Sequence, residues 1–255
     1  MSLNPRLRDW QGLRVWLIGA SSGIGKATAQ ALLQEGARVA LTSRNEAALQ
    51  AISGPDALVA VADVTDRDSL KTAFDQVLAS LGGIDLAILN AGTHRPVRAW
   101  ELDAESAGQL VQVNLIGTLN ATALLVPYFI GRGQGRLAIT ASVAGYGGLP
   151  TGLVYGATKA ALINFAETLY LDLAPRGVAV HLINPGFVKT PLTDRNEFKM
   201  PALISSEEAA REILSGLRRG AFEVHFPRRF TRAMKLLRLL PYSWYFPLVH
   251  RITGL

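Results

Sequence analysis

Short apolar runs recur along the chain, each broken by glycine or by polar residues. Residues 14–18 (RVWLI) lead into a glycine cluster. Residues 37–42 (ARVALT), 57–62 (ALVAVA), 84–89 (IDLAIL), 136–141 (RLAITA), 178–183 (VAVHLI) and 221–226 (AFEVHF) repeat the pattern. Runs this short and this continuously apolar predict strands buried on both faces. Helical patterns lie between them. One runs from Ile24 to about Gln34, with Gly36 as its stop. Another starts in Thr65–Asp68, where the threonine is placed to cap a helix reaching about Leu81. A long one occupies residues 104–130. The alternation predicts an α/β fold, a doubly wound parallel sheet of about seven strands with helices on both faces. Residues 187–204 form the one long stretch without a period, and a loop that long in a compact domain is usually functional.

The end of the chain reads differently. From Arg228 to Leu240, at about 100° per residue, Phe230, Ala233, Met234, Leu237 and Leu240 fall on one side. Arg228, Arg232, Lys235 and Arg238 fall on the other, and Trp244, Tyr245 and Phe246 follow between prolines. Residues 1–227 are therefore read as one catalytic domain and 228–255 as its basic amphipathic extension. The expected arrangement packs the apolar face on the body and leaves the basic face in water. Peripheral membrane contact through 228–246 is the alternative.

Charge and composition narrow the classes. The net charge of +6 resides entirely in six cations after Pro227, with no acid beyond Glu223. The body is balanced, so nucleic acid is not an expected partner. There is no cysteine, which excludes disulfides and thiolate chemistry. The histidines are scattered and no metal site is read. Residues 1–12 lack an apolar leader, and the apolar runs stop short of the ~18 residues a spanning helix needs. A cytoplasmic location, or a membrane-peripheral one, is expected.

The candidate chemistry begins at the glycine cluster. Residues 19–25 (GASSGIG) join the first strand to the first helix. Glycines there let backbone approach a pyrophosphate, and the helix N-terminus offers free N–H groups. At the end of the second strand stand Ser43 and Arg44, where an NAD-binding fold usually has an acid. A guanidinium there suits a 2′-phosphate, so NADP(H) is expected over NAD(H). Asp63 is placed to accept from the adenine amino group. Residues 155–159 (YGATK) put a phenol and an ammonium on one helix face. Protonating an alkoxide needs an acid not far from neutral, and an ammonium beside Tyr155 would lower its pKa of ~10. Ser142 can donate to the same substrate oxygen, and Asn114 can hold a water for proton exchange.

Over about residues 12–226 the chain resembles the short-chain dehydrogenase/reductase family. The matching segments are GASSGIG (19–25), DVT (63–65), NAG (90–92), VNLIG (113–117), Ser142, YGATK (155–159) and NPGFVKT (184–190). The resemblance implies a Rossmann-type sheet and an oxidoreductase acting on a carbonyl or alcohol carbon. Tyr155 would be the general acid/base. Lys159 would also bond the nicotinamide ribose, Ser142 orient the substrate and Asn114 support the proton relay. The cofactor would lie on Gly19, Ser21, Ser22, Gly23, Ile24 and Gly25, then Val64, Asn90, Ala91 and Gly92. Pro185, Gly186, Val188 and Thr190 would hold its carboxamide side. Ile18 stands where the family usually has threonine, and Leu89 where a second asparagine is frequent. Ser22 stands where some NADP-preferring members are basic, which leaves the preference to Arg44.

Substrate specificity is expected in residues 93–100, 143–152 and 187–204. Leu149, Leu153, Phe187, Phe198, Met200 and Leu203 suggest a lipophilic pocket, and His94 faces either substrate or solvent. A homodimer or homotetramer is expected. The alternative function is a catalytically silent nucleotide-binding regulator, which would not need Ser142, Tyr155, Lys159 and Asn114 together. An epimerase or dehydratase on this scaffold would usually carry a larger C-terminal domain.

Overall fold

The computed structural model describes residues 2–195 and 200–254, with the side chain of Arg195 left aside. Among these, the strands are β1 (Arg14–Ile18), β2 (Arg38–Thr42), β3 (Ala57–Val59), β4 (Leu86–Leu89), β5 (Gly135–Thr140), β6 (Val178–Pro185) and β7 (Glu223–Phe226). They form one parallel sheet in the order β3-β2-β1-β4-β5-β6-β7. The order reverses between β1 and β4, and ligands of such sheets bind in the crevice at that switch point. Two apolar layers cover the faces. One gathers Trp16, Leu125, Phe129 and Leu162, the other Leu17, Leu32, Leu49 and Ile213.

The helices are α1 (Gly23–Gln34), α2 (Glu46–Gln50), α3 (Arg67–Leu81), α4 (Ala104–Val111), α5 (Gly117–Arg132), α6 (Leu153–Leu173), α7 (Ser206–Arg218), α8 (Arg228–Arg238) and α9 (Tyr242–Thr253). A π-helical turn, Gln112–Ile116, joins α4 to α5. Two expectations are corrected here. The cap of α3 is Asp66, whose side chain accepts from Asp68 N and Ser69 N. The Thr65 side chain is turned toward Asp63 instead, its hydroxyl and N–H both donating to Asp63 Oδ1. Second, Ala104–Arg132 is apolar enough in length and composition to cross a membrane. Scattered Thr and Asn break its apolar runs, yet the mean hydropathy of its most apolar window is still 1.5. In this fold its Leu110, Ala121, Leu125 and Phe129 are buried.

The chain start is fastened to the amino-terminal edge of the sheet. Asn4 exchanges bonds with Val180 and donates near His181 Nδ1. His181 is fully buried, its Nδ1 lies 2.6 Å from the Ala221 carbonyl, and burial lowers its pKa to about 4. An unfolded histidine takes a proton near 6.5. Between those values the unfolded state binds more protons, so stability falls as pH drops through this window, by about 3 kcal/mol in all. His181→Asn keeps a donor for Ala221 and removes the titration. Denaturant melts of this variant should therefore lose less stability than wild type from pH 6.5 to pH 4. Equal losses would show that His181 does not carry the dependence.

Candidate active site

The carboxyl ends of the strands open into a cleft of about 390 Å³. One end is built by the β1–α1 turn. Gly19 has φ +91°, and a Cβ on it would lie within 2.6 Å of the Ala91 Cα. Ser22 starts α1 without a side-chain cap bond, which leaves first-turn N–H groups for a ligand. Gly23 keeps the opposite wall clear, since a Cβ there would stand 2.9 Å from Thr190 Cγ2. Asn90 Nδ2 donates to the Gly19 carbonyl at 3.1 Å and ties the turn to the end of β4. Gly92 leaves space beside Lys159, where a Cβ would come 3.6 Å from Nζ. These backbone-lined hollows at a helix start fit a dinucleotide.

The inner end holds titratable side chains. Ser142 follows β5, is buried, and accepts from Ala144 N at 3.2 Å. Tyr155 and Lys159 project from the first turns of α6. Burial raises the Tyr155 pKa, and its hydrogen bond to Ser142 works the other way. Lys159 is buried, lies 5.7 Å from the Tyr155 ring centre and donates to the Thr140 carbonyl at 3.0 Å. Burial lowers its pKa to about 8. The expectation that the ammonium depresses the phenol is thus not met. The ammonium points to Thr140, and desolvation dominates the phenol. Asn114 sits in the π-turn and is fully buried. It accepts from Thr93 N at 2.7 Å and donates to Thr93 O at 3.0 Å and Thr158 Oγ1 at 3.3 Å. Its amide therefore pins Thr93, in the segment that follows β4, to α6.

The family model for short chain dehydrogenases matches residues 14–200. The chain belongs to the short-chain dehydrogenase/reductase family. An uncharacterized oxidoreductase of Myxococcus xanthus is 34% identical over 229 residues, spanning 88% of this chain and 90% of that protein. The 3-oxoacyl-(acyl-carrier-protein) reductase of Thermotoga maritima is 34% identical over 212 residues, 81% of this chain and 82% of its own. The 3-ketoacyl-(acyl-carrier-protein) reductase of Brucella melitensis, solved with NADH, superposes with a TM-score of 0.79 at 25% identity. That match covers 86% of this chain and 99% of that one. This short-chain dehydrogenase is an NAD(P)-dependent oxidoreductase.

Of the residues its sequence marks for the cofactor, all but Gly25 line the cleft. Gly25 lies behind the turn, where a Cβ would overlap the Gly19 carbonyl oxygen, so its role is close packing. Asn114 also stands behind the lining. Thr93 and residues 191–193, from two of the segments expected to set specificity, line the cleft, and so do Thr42, Asn45, Ala62, Val113, Thr140 and Ala141, to which the sequence assigns no role. Position alone brings them there, since none belongs to a reactive residue type. At the end of β2 Arg44 is largely exposed and lies 3.6 Å from Asp63 Oδ2. Burial alone would raise the Asp63 pKa, but bonds from Thr65 and the nearby Arg44 hold it below the usual range. Asp63 thus meets Arg44 in this dehydrogenase as well as facing the cleft.

The expected lipophilic pocket is not assembled. Leu149, Leu153, Phe187, Met200 and Leu203 do not line the cleft, and Phe198 lies outside the described residues. Phe187 packs instead on Phe230 of α8, with ring centres 5.4 Å apart. His94, left open by the sequence, stands edge-on to Tyr155 at 4.5 Å between ring centres. The tail grips the same rim. Tyr146 and Asn184 donate to Glu223 Oε1 at 2.5 and 2.8 Å, and Lys235 of α8 ion-pairs with Glu223 Oε2. Burial alone would raise Glu223, yet these donors hold it below the usual carboxylate range. Tyr245 of α9 donates to the Gly148 carbonyl at 2.7 Å.

Proposed function

We propose that this dehydrogenase uses NADP(H) to move a hydride between nicotinamide and a carbonyl or alcohol carbon of a small molecule, with Tyr155 as general acid/base. The observation that carries this reading is the convergence of Ser142, Tyr155 and Lys159 at one end of the cleft, with the glycine turn and Arg44 at the other. When bound, the nicotinamide supplies or accepts the hydride. Ser142 and the Tyr155 phenol donate to the substrate oxygen and orient it. In reduction the phenol passes its proton to that oxygen as negative charge develops. A pKa raised by burial keeps the phenol loaded at neutral pH. Lys159, whose ammonium donates to the Thr140 carbonyl beside the cleft, would bond the nicotinamide ribose. Asn114 holds Thr93 and Thr158 in place around this group. Oxidation of NADPH in the presence of a panel of ketones and aldehydes tests the reading. Cofactor binding without turnover of any carbonyl would favour a silent regulator.

The cofactor preference rests on Arg44 and on the absence of an acid at the end of β2. NADPH should bind more tightly than NADH, and Arg44→Asp should reverse the order. Calorimetry with both cofactors measures this. Equal wild-type affinities would remove the assignment, and Asp63, which already faces the guanidinium, would be the reason.

A further inference from the structure

The tail helices bury only their inner faces. Phe230 and Met234 pack on the core, Thr231 is buried, and Tyr245 and Val249 are buried on α9. The outer side of α8 carries Arg229, Arg232, Leu236 and Leu239, spaced three and four apart on one face. Leu239 is 78% exposed. On α9 the stripe Tyr242, Tyr245, Val249 and Ile252 is covered only in its middle, so its two ends overhang the body. Trp244 and Phe246 are exposed beside it. The face expected to pack does so through Phe230 and Met234, with Leu237 and Leu240 half-buried, and the large exposed apolar residues lie outside it. Large exposed apolar patches mark interaction sites.

Charge identifies the partner. Arg228 and Lys235 are paired with Glu212 and Glu223. Arg229, Arg232, Arg238 and Arg251 make no ion pair among the described residues, and no acid lies near them in the tail. A second copy docking by the same face would set these arginines against one another. An anionic lipid surface complements them, while leucine and aromatic side chains enter the headgroup boundary.

We propose that α8 and α9 form a docking element for an anionic phospholipid membrane. The Phe230–Phe187 and Tyr245–Gly148 contacts hold this element to the rim of the catalytic cleft. Docking therefore turns the approach to Tyr155 toward the bilayer, where an apolar substrate would be dissolved. The docking itself does not depend on the proposed chemistry, because its readout needs no turnover.

Flotation of the full chain with vesicles tests it. Phosphatidylcholine vesicles containing phosphatidylglycerol should carry the protein, and rising salt should release it. Vesicles of phosphatidylcholine alone should carry far less. Arg229→Gln and Arg232→Gln should each weaken binding about fivefold. Leu236→Glu with Leu239→Glu should abolish it, and cofactor binding and melting temperature should hold in every variant, since these side chains face outward. Equal recovery with and without phosphatidylglycerol would overturn the proposal. So would sedimentation showing that the leucine variant splits an oligomer with no change in flotation, for the face would then be a subunit contact.

Discussion

Tyr155→Phe should bind the cofactor as wild type does and lose about 10²–10⁴-fold in turnover, the range that a general acid supplies. The substitution removes one oxygen and leaves the ring. That ring packs against His94 and under Lys159, and both contacts are made by carbon. Burial disfavours the charged phenolate, so the hydroxyl matters mainly when the substrate oxygen takes its proton. The loss should therefore appear in kcat and kcat/KM together, with the cofactor Kd unchanged. Single-turnover measurement with any accepted carbonyl separates these quantities. Activity within a few-fold of wild type would take Tyr155 out of the proton-transfer role.

Gly19→Ala should damage both stability and cofactor binding. The backbone at Gly19 has φ +91°, a conformation that L side chains rarely adopt. Space is also missing. The added methyl would meet Ala91 Cα at 2.6 Å and the Asn90 carbonyl carbon at 2.7 Å, and both belong to backbone at the end of β4. The two costs together are about 2–5 kcal/mol, from the unfavourable φ and from overpacking. Relief would require the turn to move away from β4, breaking the Asn90 bond to the Gly19 carbonyl. Gly54→Ala is the control, since nothing lies within 4 Å of its Cβ position. Chemical denaturation and cofactor titration should separate the two variants clearly. A Gly19→Ala protein as stable and as tightly binding as wild type would mean that the turn is not held against β4.

The strands and the glycine turn were legible because their signals are local. A parallel strand buried on both faces needs a nearly continuous apolar run, and 15–18, 86–89 and 178–180 supply one. The residues that meet at the cleft were legible because proton transfer and phosphate recognition need particular side chains at particular ends of strands. What escaped was decided by tertiary contacts or by competition within a few residues. Thr65 and Asp66 are both plausible caps, and Thr65 turns its side chain toward Asp63 instead. Helix α7 went unread although Ser205 and Glu208 form a capping box at its start. Helix α9 was hidden by Pro247 and by aromatic residues that fit several structures. The direction of Lys159 depends on the Thr140 carbonyl at the end of β5, and helical spacing carries no information about that partner. Likewise, the meeting of Arg44 with Asp63 joins the ends of two neighbouring strands.

Because all the strands run the same way, the molecule has a front and a back. The catalytic rim and the tail lie at the carboxyl ends of the strands. Asn4 and Leu7 bond to Gly220 and Arg218 at the opposite edge, and Arg136 reaches the Pro5 carbonyl there. An affinity handle or surface linker joined at the amino terminus would therefore hang from the back and leave the catalytic mouth facing solution. The same handle joined after α9 would crowd that mouth. For immobilisation or for fusion to a cofactor-regenerating partner, the amino terminus is the end to use.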